Sequence, residues 1–94
     1  MIIVLYDNNL SLYLHFFCKN YQTMGEHKVL VKLGERIKTI RLSKSMTQNQ
    51  LAMECDFEKA SLSRIESGKS NPTIRTLYKL STALGTSISD FFTE

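Results

Sequence analysis

The chain has 94 residues, 43% of them hydrophobic, which suffices for one core and argues against a second folded domain. Its net charge is +3, and the excess is local: Lys32 to Lys79 carries ten Lys/Arg against five Asp/Glu, a balance that suits a polyanion partner but that, on charge alone, fits a solvated basic surface better. The two cysteines, Cys18 and Cys55, make no disulfide framework, and neither His15 nor His27 has a partner at a ligand spacing, so no metal and no cofactor are expected and a reducing cytoplasm is the natural setting.

The opening run Met1-Ile2-Ile3-Val4-Leu5-Tyr6 is apolar and β-branched, and a second apolar run follows from Leu10 to Cys18. Neither approaches the roughly 20 residues that a membrane span takes. No basic stretch precedes the first run, Asp7 interrupts it and no small-residue cleavage site follows, so no secretory signal is expected. Three readings stay open: an element packed on the domain or on a dimer mate, a disordered tail, or sequence upstream of a start at Met24. Packing ranks first, because so many exposed apolar side chains are a liability.

From Leu33 the apolar residues take up helical spacing, with Leu33, Ile37 and Ile40 at i, i+4 and i+7, and this pattern predicts a first helix from Leu33 to about Lys44. Thr47-Gln48-Asn49-Gln50 has the form of a capping box and starts a second helix at Gln48. Leu51, Ala52 and Cys55 are its buried stripe. Phe57, Leu62 and Ile65 then open a third, after a tight turn around Asp56. Ser67 to Pro72 is a loop punctuated by Gly68 and Pro72. Thr73 caps a fourth helix striped by Ile74, Leu77, Leu80 and Leu84, and Gly85 ends it. A short fifth helix follows Ser87 and holds Phe91 and Phe92, and no strand signal occurs among the five.

Each stripe alone is ordinary core packing, but their order is specific. A helix-turn-helix needs a small residue where its two helices approach, apolar residues flanking the turn and two inward positions on the second helix. Ala52, Cys55 with Phe57, and Leu62 with Ile65 fill those places. If Leu62 and Ile65 face inward, Lys59, Ala60, Ser63 and Arg64 project from the opposite side.

The chain resembles the Cro/C1-type (Xre-like) DNA-binding domains in Leu33-Gly-Glu-Arg-Ile-Lys, Arg41-Leu, Met46-Thr-Gln-Asn-Gln-Leu-Ala52, Leu62-Ser-Arg-Ile-Glu-Ser-Gly-Lys69, Asn71-Pro72-Thr73 and Leu80-Ser-Thr-Ala-Leu-Gly85. The resemblance covers about two-thirds of the chain and leaves out residues 1–31. It implies an all-α, five-helix, lambda-repressor-like domain at 32–94, behind an extension at 1–31 whose structure is left open. It also implies that the third helix, Glu58 to Glu66, enters the major groove of double-stranded DNA, that Gln48 meets a phosphate, and that Arg41 pairs with Glu66 as a structural ion pair. The family usually has Gly where this chain has Asp56 and a Ser-like cap where it has Glu58.

On that footing Arg64 is the candidate for direct readout, because its planar fork matches O6 and N7 of guanine. Lys59 and Ser63 reach a base or a phosphate, and Ala60 offers a methyl contact to thymine. Gln48, Lys69, Ser70 and Asn71 are candidate phosphate contacts, Ser70 and Asn71 doubling as turn residues.

A transcriptional regulator is expected, a homodimer on a pseudo-palindromic operator, with one of the adjacent phenylalanines left over for the dimer surface. The compact single domain also resembles the controllers of restriction-modification systems. The alternative is an antitoxin or other interaction module, with a protein partner such as a toxin. No nucleophile with a base partner, phosphate-binding Gly loop or pair of catalytic carboxylates stands out, so no enzyme is expected.

Overall fold

The structure, a computed structural model, describes residues 25–93, and the readings made above for residues 1–24 lie outside them. Among the described residues are four α-helices, α1 Glu26–Ser43, α2 Gln48–Glu54, α3 Lys59–Glu66 and α4 Ile74–Leu84, then a 3-10 helix Ile88–Phe92, and no strand. Among the described residues the fold is therefore all-α, with five helical elements.

The first helix begins at Glu26 rather than at Leu33. Periodicity marks only the part of a helix that faces the core along a narrow stripe, and Val29, Leu30 and Val31 are consecutive and half-buried. What holds these first turns is tertiary: Val31 lies against Gly68, where an added Cβ would come within 2.7 Å of the valine side chain. Glu26 in the first turn also opposes the helix dipole favourably. The helix runs through positions 31 and 32 without a break.

The core is one cluster, with Ile37, Leu51, Leu62, Leu80 and Phe91 fully buried, so that every helical element contributes one side chain to its centre. Phe91 and Phe92 divide differently from expectation. Phe91 is completely enclosed, while Phe92 is half-buried and packs on the rim of the same cluster. Neighbours on a 3-10 helix diverge by about 120°, so Phe91 fills the core while Phe92 covers its rim and keeps part of its ring exposed. Arg36 clasps this last element to α1, its Nε donating to the Asp90 carbonyl at 2.9 Å and its Nη2 to Thr93 Oγ1 at 3.3 Å.

Candidate nucleic-acid interface

The local chemistry of α2 and of the turn after it sets the angle at which α3 is presented. Thr47 Oγ1 accepts from the Gln50 backbone N–H at 3.1 Å, and Gln50 Oε1 accepts from the Thr47 backbone N–H at 2.8 Å, which fixes the start of α2 at Gln48. At its other end Phe57 N–H donates to the Ala52 carbonyl and Asp56 N–H to the Met53 carbonyl, a Schellman closure with Asp56 in the left-handed region at φ 58°. Glycine is the usual residue there. Aspartate adopts that conformation more readily than most side chains, so the turn forms without it. Ala52, 1% exposed, lets α2 and α3 approach closely.

Helix α3 begins after Glu58, which has the extended backbone of an N-cap but makes no side-chain cap bond. Leu62, Ile65 and Glu66 are buried, and Lys59, Ala60, Ser63 and Arg64 are exposed along the opposite face. Lys59 and Arg64 have no ion-pair partner among the described residues, so both cations are available to an incoming anion. A second Schellman closure ends the helix, with Gly68 at φ 76° and Lys69 N–H donating to the Arg64 carbonyl at 2.9 Å. Lys69 and Asn71 are exposed beyond it and Ser70 is half-exposed.

An open groove of about 310 Å³ separates α3 from the start of α4, and Arg64, Ser70 and Asn71 lie on its walls. Ser61, Thr73 and Thr76 line it too and were missed by the sequence reading. Ser61 stands one turn before Arg64, a spacing that could have found it. Thr73 is also a helix cap, as its sequence position implies: its Oγ1 accepts from the Thr76 backbone N–H at 3.2 Å.

Behind this face lies a buried polar group. Arg41 donates from Nε to Glu66 Oε2 at 2.8 Å and from Nη2 to Glu66 Oε1 at 3.0 Å, with side chains 6% and 2% exposed. Its Nη1 donates to the Met46 carbonyl at 2.7 Å, just before α2. Gln48 Nε2 donates to Glu66 Oε1 at 3.0 Å. The last residue of α3, the end of α1 and the first residue of α2 are thus tied at one point. Gln48 is half-exposed and stands apart from the α3 face in sequence but is joined to it through Glu66.

Among the described residues no group of three or more His, Cys, Asp or Glu is placed to hold a metal ion, and no helix is long and apolar enough to cross a membrane. Cys55 is buried, and burial, helped by the Glu54 charge and opposed by Lys79, pushes its thiol pKa up.

The helix-turn-helix family model matches residues 37–91, from mid-α1 to the 3-10 helix. The control protein C.BamHI of Bacillus amyloliquefaciens is 38% identical over 65 residues, 68% of this chain and 80% of that protein. The immunity repressor protein of Bacillus phage phi105 is 39% identical over 57 residues, 61% of this chain and 40% of that protein. Among solved structures, the restriction-modification controller protein C.AhdI of Aeromonas hydrophila superposes with a TM-score of 0.65 at 29% identity, over 66% of this chain and 94% of that one.

Proposed function

The chain belongs to the helix-turn-helix family of the Cro/C1 (Xre-like) type and is a DNA-binding transcriptional regulator; from that premise we propose that it reads a pseudo-palindromic operator as a homodimer, one α3 in each of two successive major grooves. The observation that carries the reading is the exposed face of α3, where Lys59, Ala60, Ser63 and Arg64 stand clear of the core with both cations unpaired among the described residues.

In this arrangement Arg64 donates its fork to a guanine edge, Lys59 and Ser63 reach neighbouring bases or phosphates, and Ala60 supports a thymine methyl contact. Gln48, Lys69, Ser70 and Asn71 hold the phosphate backbone on either side and set the register. The DNA-binding unit is residues 32–94 together with the first turns of α1. No catalytic step is assigned to it, and a cytoplasm that holds the DNA is the place such a regulator needs.

The names of two relatives narrow the regulatory role: C.BamHI is a control protein and C.AhdI a restriction-modification controller, and we assign this chain to the same kind of circuit. The second reading is a protein partner such as a toxin, which would cover exposed apolar side chains such as Met53, Ile74 and Tyr78, 72%, 70% and 62% exposed. Selection from a randomised duplex DNA library at near-physiological salt, where nonspecific binding fades, distinguishes the two. Enrichment of a two-fold-symmetric motif is the result expected. A folded protein that enriches no sequence turns the assignment toward the protein partner.

A further inference from the structure

We propose that Glu66 is a positioning residue for DNA binding: it fixes the side-chain amide of Gln48 so that an N–H of that amide, and never its carbonyl, is turned to the phosphate. The proposal rests on the assignment of Gln48 as a phosphate contact and adds to it the group that makes the contact productive.

A primary amide has two faces of opposite sense, a carbonyl oxygen that accepts and an NH₂ that donates. A DNA phosphate only accepts. A free glutamine at this position would present either face, and the carbonyl-out rotamer would repel the phosphate rather than bind it. Glu66 removes that ambiguity, because an ionised carboxylate also only accepts: the short contact from Gln48 to Glu66 Oε1 at 3.0 Å can be made by Nε2 and not by the glutamine oxygen. One Nε2 hydrogen is thereby committed inward, and the other has no acceptor among the described residues.

The carboxylate itself has no freedom to follow a moving glutamine. Arg41 holds both of its oxygens at 2.8 and 3.0 Å, and the Glu66 side chain is 2% exposed. Arg41 is fixed in turn by the Met46 carbonyl at 2.7 Å. The chain of bonds therefore runs from the segment entering α2, through Arg41 and Glu66 in the interior, to a half-exposed amide on the first residue of α2. Its inner part supports the fold, and its outer end fixes the amide plane of the half-exposed Gln48.

A structural and a positioning role separate cleanly by exchange of the ion pair for apolar side chains of similar size, because such exchanges commonly preserve or raise stability. Binding is measured to a duplex of random sequence at low salt, where phosphate contacts dominate and no operator is needed. Gln48→Met is expected to weaken binding about tenfold, the loss of a hydrogen bond to a charged group. The double variant Arg41→Met/Glu66→Met is expected to melt no earlier than the parent yet to bind about twofold more weakly, since its released glutamine presents the N–H in about half of its rotamers, and the triple variant to bind as weakly as Gln48→Met and no weaker. Equal binding by the double variant and the parent, or additive losses in the triple variant, overturns the proposal. A parent protein that binds no duplex overturns the DNA reading beneath it, and is told apart by that.

Should the double variant fail to fold, the Gln48 side-chain amide decides the matter by ¹H–¹⁵N spectroscopy of the parent. In the free protein one amide proton should be slow to exchange and shifted as a bonded proton is, and addition of the duplex should move the other while leaving the first in place. Two equivalent, fast-exchanging protons, or no change with DNA, overturn it.

Discussion

Gly34 and Glu66 meet backbone to backbone: a Cβ added at Gly34 would lie 2.5 Å from the Glu66 carbonyl oxygen and 2.7 Å from its carbon. Helix α1 thus touches the last turn of α3 at the residue whose side chain also pairs with Arg41. The tilt of α3 is set at this contact. Gly34→Ala gains helix propensity worth about 1 kcal/mol but forces backbone atoms apart, and overpacking of that kind costs about 1–3 kcal/mol. With two carbonyls in the way the loss falls at the upper end of that range, and urea unfolding should show a net destabilisation of up to about 2 kcal/mol. Unchanged stability would contradict the backbone contact between α1 and α3.

Removing Arg41 alone strands the Glu66 carboxylate in the interior. Arg41→Ala is expected to cost about 3–5 kcal/mol in thermal or urea unfolding, the usual penalty for breaking a buried pair from one side. A loss under about 1 kcal/mol would place the pair in the class of surface ion pairs.

Glu58 caps α3 with its backbone only. Glu58→Ser supplies a side-chain acceptor for the first N–H groups of the helix and should stabilise the protein by about 1 kcal/mol. It also removes a negative charge from the edge of the proposed DNA face, so binding should tighten, most at low salt. A variant that is more stable but binds no better would show that Glu58 points away from the phosphates.

The raised pKa of Cys55 gives a pH dependence with a definite sign. Above the ordinary thiol value the unfolded chain loses this proton while the folded chain keeps it, so the unfolded state binds fewer protons and stability falls as pH rises through that window. In a Cys18→Ser background, a thiol reagent at neutral pH should react with Cys55 only at the rate of opening and should speed up in mild denaturant. Rapid native-state labelling would contradict its burial.

Much of this architecture is local and therefore legible in the sequence. Thr47 with Gln50, Thr73 before Ile74 and Gly85 after Leu84 place helix ends because each satisfies orphaned backbone groups within a few residues. The exposed face of α3 follows from Leu62 and Ile65 by geometry alone. What the sequence hides is set by distant contacts. The early start of α1 depends on Val31 meeting Gly68, the anchoring of the 3-10 helix on Arg36 reaching Asp90 and Thr93, and the tie from Gln48 to Glu66 on three helix ends converging. No period or spacing encodes these. The groove that joins Ser61 and Thr76 to Arg64 is likewise a product of how α4 leaves the loop.

The division of labour between base and phosphate contacts is the centre of the account, and single base-pair substitutions across the selected site test it most directly. Affinities for each substituted duplex would be measured for the parent, Arg64→Ala and Gln48→Ala at one salt concentration. Arg64→Ala should erase about 1–3 kcal/mol of preference for guanine at one symmetry-related pair of positions, while Gln48→Ala should lower affinity for every duplex by the same factor. An unaltered preference profile in Arg64→Ala would contradict the assignment of the α3 face to base readout.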